Sequence, residues 1–186
     1  MAKVVLNPVM ERIHGKIGDL VFKRYNDEVI VSPKPDLSGR EPTPAQAAHR
    51  ERFRLAVLYG NTVLADAGRR ALYEPTAKEK GIPVFALTVG DFLNAPAVDE
   101  IDLSGYTGNV GETIRIRASD DFEVTGVEVG ITGAGGAVLE RGPATAVNGT
   151  WEYSTTSAVP VGQRISIEVT ATDRPGHRST RTQVRE

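Results

Sequence analysis

The sequence contains no cysteine and few aromatic residues, and it has no long apolar run. Without cysteine there is no disulfide framework, no thiol nucleophile and no thiolate metal site. No segment approaches the roughly 18 apolar residues of a transmembrane helix, so we expect no membrane insertion. The opening residues, MAKVVLNPVMERIHGK, lack the apolar core of a signal peptide. We expect synthesis in the cytoplasm without standard secretion, which leaves a virion or the cell exterior open as a final location.

Composition and charge indicate a globular chain with two domains. The hydrophobic share of 40% and the charged share of 25% are typical of folded proteins. Residues 1–95 carry 14 Lys/Arg against 11 Asp/Glu, and residues 96–186 carry 8 against 13. All six lysines lie at or before Lys80. We therefore predict a boundary between residues 95 and 96. Neither half is basic enough to indicate a nucleic-acid partner, and the mild opposite charges favour contacts between copies.

The segments DLVFKRY and EVIVS, near residues 19–32, predict a β-hairpin. They are rich in Val, Ile, Phe and Tyr, and the pair Asn26-Asp27 between them suits a tight turn. A short strand in KVVLN, ending at Pro8, precedes them, and Gly15 and Gly18 predict a bend or bulge at the entrance of the first hairpin strand. Two or three strands are marginal alone, so we expect the sandwich or a strand from another copy to pair with the hairpin edges. The predicted assembly interface comprises Leu20, Phe22, Tyr25, Val29 and Val31.

Helical patterns follow the hairpin. The motif TPAQ places Thr43 at a helix N-cap with proline at the first helical position. Apolar residues at three- and four-residue steps extend that helix to about Leu64. A second helix is predicted over Ala67–Tyr73, with an interruption at Pro75 and a weak continuation to Gly81. The segment PVFALTVGDFLN predicts a third helix, and its Val, Phe and Thr content leaves a strand as the alternative.

After the linker NAPA, the sequence consists of short alternating runs separated by Gly, Asn and Asp. About seven such runs in about 90 residues predict an all-β sandwich of immunoglobulin-like or fibronectin-like type. Trp151 is the predicted core anchor of this sandwich. The whole chain is therefore predicted to be α+β, with an N-terminal hairpin and short helices followed by the sandwich. The runs are AVDEIDL, TIRIRAS, VTGVEVGIT, AVLER, TWEYSTT, RISIEVTATD and RSTRTQV.

Two resemblances accompany these patterns. Residues 1–95 combine Gly15-x-x-Gly18, the strand LVF, TPAQAAHRERF and RRALY, and they resemble a group of uncharacterised bacterial and prophage-type proteins. That resemblance implies a structural role rather than an enzymatic one. The chain departs from the pattern at Leu64, where an aromatic residue is common, and in the acidic pair Asp27-Glu28. The stretches ASDDFEVTGVEVGI and TATDRPGHR resemble bacterial immunoglobulin-like modules, which implies a fold and little about chemistry.

Candidate chemical sites are few. The three histidines, His14, His49 and His177, share no metal-ligand spacing, and no G-x-S-x-G motif is present. We expect no catalytic residue and no cofactor.

Acidic loop residues raise the alternative of a calcium site. The competing interpretation is that these carboxylates cap backbone groups in turns, and we expect no bound metal. The residues are Asp120, Asp121, Glu128 and Asp173.

Arginines on the helices allow two further interpretations, a basic face for nucleic acid or a solvated helix surface. The second is favoured because few aromatic residues accompany them. The residues are Arg50, Arg52, Arg54, Arg69 and Arg70.

These observations predict a non-enzymatic structural protein that assembles with copies of itself into a filament, a lattice or a phage-related particle. The N-terminal hairpin and helices would supply the contacts while the sandwich projects. The alternative is a monomeric binding module whose sandwich loops recognise a glycan or a protein.

Overall fold

The computed structural model describes residues 2–4, 13–25, 28–36, 39, 41–160 and 162–185. The chain forms two compact units, Met1–Pro44 and Ala45–Glu186. This division differs from the predicted boundary at 95/96, because the helices belong with the C-terminal strands. None of the described helices is both long enough and apolar enough to cross a membrane.

The N-terminal unit contains a four-stranded antiparallel sheet in the order β1-β4-β3-β2. The hairpin of β3 and β4 has the predicted position. The predicted turn at Asn26-Asp27 and the strand end at Pro8 lie outside the described residues. The strands are β1 Ala2–Val4, β2 Gly15–Ile17, β3 Leu20–Tyr25 and β4 Glu28–Pro33.

Strand β2 corrects the expectation that the hairpin lacks partners in its own sheet. The predicted bend at Gly15 and Gly18 is therefore only partly present. Gly15 begins β2, and only Gly18, at φ 58°, lies in the turn between β2 and β3. Strand β2 pairs with β3, and β1 pairs with β4. The chain's own short strands therefore satisfy both edges of the hairpin, and β1 and β2 become the edge strands.

Three helices begin the second unit: α1 Pro44–Ala65, α2 Ala67–Lys80 and α3 Val84–Leu93. Helix α1 begins at the proline of TPAQ, as predicted. The PVFALTVGDFLN segment is helical, so the strand alternative is wrong. Asp66 is the N-cap of α2, and its side chain accepts a hydrogen bond of 3.0 Å from the Arg69 backbone N–H.

The predicted interruption at Pro75 is wrong, because α2 continues through this proline to Lys80. The helix buries Tyr73 and Ala77 on either side of Pro75, and this packing offsets the lost backbone hydrogen bond.

The C-terminal end of α2 is also well defined. Gly81 adopts a left-handed conformation at φ 66°, and the backbone N–H groups of Gly81 and Ile82 donate to the carbonyls of Lys78 and Ala77. This pattern is a Schellman motif.

The rest of the second unit is β-structure in two antiparallel sheets, so the α+β class is confirmed. One sheet has the order β5-β6-β10-β9 and the other has the order β12-β11-β7-β8. The short strand β9 was not predicted. The strands are β5 Ala97–Asp102, β6 Thr113–Ser119, β7 Val124–Thr132, β8 Val138–Pro143, β9 Thr145–Val147, β10 Thr150–Ser154, β11 Ile165–Asp173 and β12 Arg178–Arg185.

The two sheets share one apolar core. Alternate residues of β11 are buried, as the period of two in RISIEVTATD predicts. Ile114 and Ile116 of β6 contribute from the other sheet. Trp151 lies directly opposite Ile116 and packs against this core, but it is only half-buried. Tyr153, two residues later, is the more completely buried aromatic residue of β10, at 4% exposure.

A smaller apolar cluster joins the helices to the strands. It contains Val63 of α1, Tyr73 and Ala77 of α2, and Leu87 of α3. Phe122, in the turn between β6 and β7, packs against it. This contact explains why residues 45–95 belong to the same compact unit as the C-terminal strands.

Candidate assembly surface

Four of the five predicted interface residues share one face of the N-terminal sheet. Phe22 pairs with Val31, Leu20 with Pro33 and Arg24 with Val29. Directly opposed residues of an antiparallel pair project to the same face, and the side chains of a strand alternate between faces. The shared face therefore carries Leu20, Phe22, Val29 and Val31. Tyr25 pairs with Glu28 and lies on the opposite face.

Exposure divides these residues further. Val29 is buried at 5%, and Phe22 and Val31 are half-buried. Leu20 is 46% exposed. Val29 is therefore buried, whereas Leu20 exposes apolar surface to solvent.

Ile17 is the residue that the sequence analysis missed. It pairs with Leu20 across β2 and β3 and is 58% exposed. The alternating segment GKIG was the available signal, but the two glycines favoured a bend over a strand. We call Ile17, Leu20, Phe22 and Val31 the apolar sheet face.

The opposite face of the sheet has a different character. Tyr25 is 59% exposed, and exposed Lys23 lies on the same side two residues earlier. Lys16 of β2 pairs with Val21 and also faces this side. Two lysines and Tyr25 therefore lie on this face, whereas Arg24, which pairs with Val29, lies on the side of the apolar sheet face.

Helix α1 provides a second exposed apolar surface. Its buried face packs on α3 at Gly60, where an added Cβ would lie 3.0 Å from Phe85 and Thr88. Residues 45–55 are all exposed, including Phe53 at 49%. An open, mainly apolar groove of about 560 Å³ lies beside Phe53 and Val57. The apolar stripe of α1 therefore extends beyond the part that α3 covers.

The helical arginines make local contacts. Arg54 pairs with Glu51 at 2.6 Å and Arg70 pairs with Glu74 at 2.9 Å. Arg52 donates to the carbonyl of Leu93. Such exposed pairs contribute little stability, and both interpretations of these arginines stay predictions.

The acidic loop residues cap turns. Asp120 accepts hydrogen bonds of 3.1 Å from the backbone N–H groups of Phe122 and Glu123. Asp173 accepts from the backbone N–H groups of Gly176 and His177 at 2.7 and 2.6 Å.

The other two acidic candidates also have partners. Asp121 accepts from the Asn94 side chain, and Glu128 lies 3.7 Å from Arg141. Within the described ranges, no group of three or more His, Asp or Glu residues is arranged to hold a metal ion.

Of the histidines, His49 lines the α1 groove. His177 lies near Asp173, with its Nδ1 2.9 Å from the carboxylate, and its ring contacts Phe92 edge-on.

Neither a protein-family model nor a curated protein matches this chain. The resemblances to prophage-type proteins and to immunoglobulin-like modules therefore stay predictions.

Proposed function

We propose that this chain is a non-enzymatic structural subunit that assembles with copies of itself through the apolar sheet face. The observation that carries the proposal is the pairing of Ile17 with Leu20, two large apolar side chains that are both about half exposed. Burying apolar surface contributes about 25 cal/mol per Å². Contact with another copy would remove both side chains from water at once.

The position of β2 supports a second copy as the occupant. Within the described residues, β2 pairs only with β3, so its outer edge presents backbone N–H and C=O groups. A strand from another chain pairs readily with such an edge. Because Ile17 lies on this edge strand, strand addition would extend the sheet and bury Ile17 in the same step. If the contact does not close on itself, the product is a fibre.

The strand order of the second unit supports the finer proposal of an immunoglobulin-like sandwich. The order β5-β6-β10-β9 corresponds to strands A, B, E and D of that fold. The order β12-β11-β7-β8 corresponds to G, F and C with one additional strand beside C.

Sedimentation velocity over a hundredfold range of concentration tests the proposal. Self-assembly predicts species larger than the 20.0 kDa chain whose fraction grows with concentration. A single species of monomer mass at every concentration would contradict it and favour the monomeric binding module with recognition by the sandwich loops.

A further inference from the structure

Asp91 is a fully buried acidic residue in the otherwise apolar helix α3. Its Oδ2 accepts a hydrogen bond of 2.6 Å from the Tyr73 hydroxyl. That hydroxyl lies 2.8 Å from the hydroxyl of Tyr59, so one side of the carboxyl group is joined to both α1 and α2. Oδ1, the other oxygen, has no hydrogen-bond donor among the described residues. A buried carboxyl group in this position is costly as an anion.

Asp120 supplies the matching group from the turn after β6. Its Oδ2 is occupied by two backbone N–H groups of the turn, but its Oδ1 is buried and also has no donor among the described residues. The turn lies against α3, where Asn94 donates to Asp121. Phe122, two residues after Asp120, stacks on Tyr73, whose hydroxyl donates to Asp91. The two buried oxygens without donors therefore belong to neighbouring segments, and the negative charge of Asp120 helps to raise the pKa of Asp91.

We propose that Asp91 and Asp120 share one proton, and that the shared proton stabilises the packing of the helices on the sandwich in a pH-dependent manner. A carboxyl O–H that donates to a carboxylate makes a short, charge-assisted hydrogen bond. This arrangement gives a partner to each of the two unpartnered oxygens. Once the proton leaves, two negative charges remain next to each other in a buried site.

The electrostatic surroundings determine the pH range. Burial raises the pKa of Asp91 to about 7; the hydrogen bond from Tyr73 opposes this rise, and Asp120 adds to it. An aspartate in the unfolded chain has a pKa of about 3.9. The folded state thus binds the proton more tightly, and the stability from the shared proton is lost as the pH rises from about 4 to about 7. Among the other titratable or charged groups on the elements around Asp91 are Arg52, Tyr59, Tyr73, Lys80, Asp121, Glu123, Asp173, Arg174 and His177.

Asp91→Asn tests the pH dependence, because an amide donates to Asp120 and accepts from Tyr73 without a proton equilibrium. We expect its melting temperature, relative to wild type, to rise between pH 5 and pH 7 and to level off by pH 8. Asp66→Asn is the matched control, since Asp66 is half exposed and an asparagine retains the capping oxygen. The difference in melting temperature between Asp66→Asn and wild type should stay constant over this pH range. A difference for Asp91→Asn that is equally constant would overturn the proposal.

Infrared spectroscopy of the full chain tests the sharing itself and does not depend on stability. Wild type at pH 5.5 should show the carbonyl stretch of a protonated carboxyl group. The band should disappear in Asp91→Asn, and in Asp120→Asn it should shift in frequency because the charged acceptor of the proton is gone. Asp120→Asn also covers the case in which Asp91→Asn fails to fold. Absence of the band in wild type would refute the proposal, and so would an unchanged band in Asp120→Asn, which would mean that Asp91 holds its proton without Asp120.

Discussion

The ring of Tyr73 stacks on the ring of Phe122, with centroids 3.9 Å apart and planes inclined by 20°. This pair joins helix α2 to the turn between β6 and β7. We expect Phe122→Ala to cost about 3 kcal/mol, the lower end of the range for a buried aromatic residue, because Phe122 is half-buried. Urea denaturation measures the loss. Phe122→Leu keeps most of the apolar volume and should lose about half as much. A loss below about 1 kcal/mol for the alanine variant would show that the stack contributes little.

Trp151 is expected to be less important for stability than a fully buried aliphatic residue. It faces the core opposite Ile116 but stays half-buried, whereas Ile167 is completely buried. We expect a loss of about 2 kcal/mol for Trp151→Ala and about 3–4 kcal/mol for Ile167→Ala. The urea midpoints of the two variants show directly which substitution destabilises the protein more. The reverse order would identify Trp151 as the core anchor that the sequence predicted.

Glu112 should make stability depend on acid pH. It accepts hydrogen bonds from the side chains and backbone of Thr107 and Asn109, which hold the pKa of this carboxyl far below its usual range. A lowered pKa gives stability that is present above about pH 4.3 and is lost as the pH falls below it. The melting temperatures of wild type and Glu112→Gln should therefore converge between pH 5 and pH 2.5.

Glu79→Gln, on the exposed surface of α2, serves as the control for the Glu112 experiment. Its difference from wild type should change less with pH than that of Glu112→Gln. A gap between wild type and Glu112→Gln that is the same at both ends of the pH range would show that the hydrogen bonds do not favour the charged form.

Calcium should leave the stability unchanged. Asp120 and Asp173 already accept hydrogen bonds from backbone N–H groups, so these oxygens are engaged in turns. Thermal melts in EDTA and in millimolar calcium should coincide. A rise of several degrees with calcium that is lost in the Asp120→Asn/Asp121→Asn variant would reveal a metal site, because a ligand of the folded state raises its stability.

Local signals in the sequence were sufficient for most elements of this fold. TPAQ marked the start of α1, and the alternation in RISIEVTATD marked the buried face of β11. The interruption predicted at Pro75 is absent. Local propensity penalises proline within a helix, but the packing of Tyr73 and Ala77 outweighs that penalty.

These local sequence patterns do not encode which residues of distant segments lie together in the fold. Nothing local to α3 indicates that Asp91 accepts a hydrogen bond from Tyr73 of α2, although an aspartate within VFALTVGDFL was a visible anomaly. The same limit applies to the apolar sheet face. The sequence identified Leu20 and Phe22, but only the register places Ile17 beside Leu20 and puts Tyr25 on the other side.

The central claim, assembly through the apolar sheet face, is tested most directly by light scattering after size-exclusion chromatography of two variants. Ile17→Gln/Leu20→Gln removes the exposed apolar groups from that face, and Tyr25→Gln makes a matched change on the opposite face. Both alter exposed side chains, so the sheet should stay folded. We expect the double variant to elute as a 20.0 kDa monomer while Tyr25→Gln assembles like wild type. Assembly of the double variant at wild-type concentrations, or a monomeric wild type, would contradict the claim.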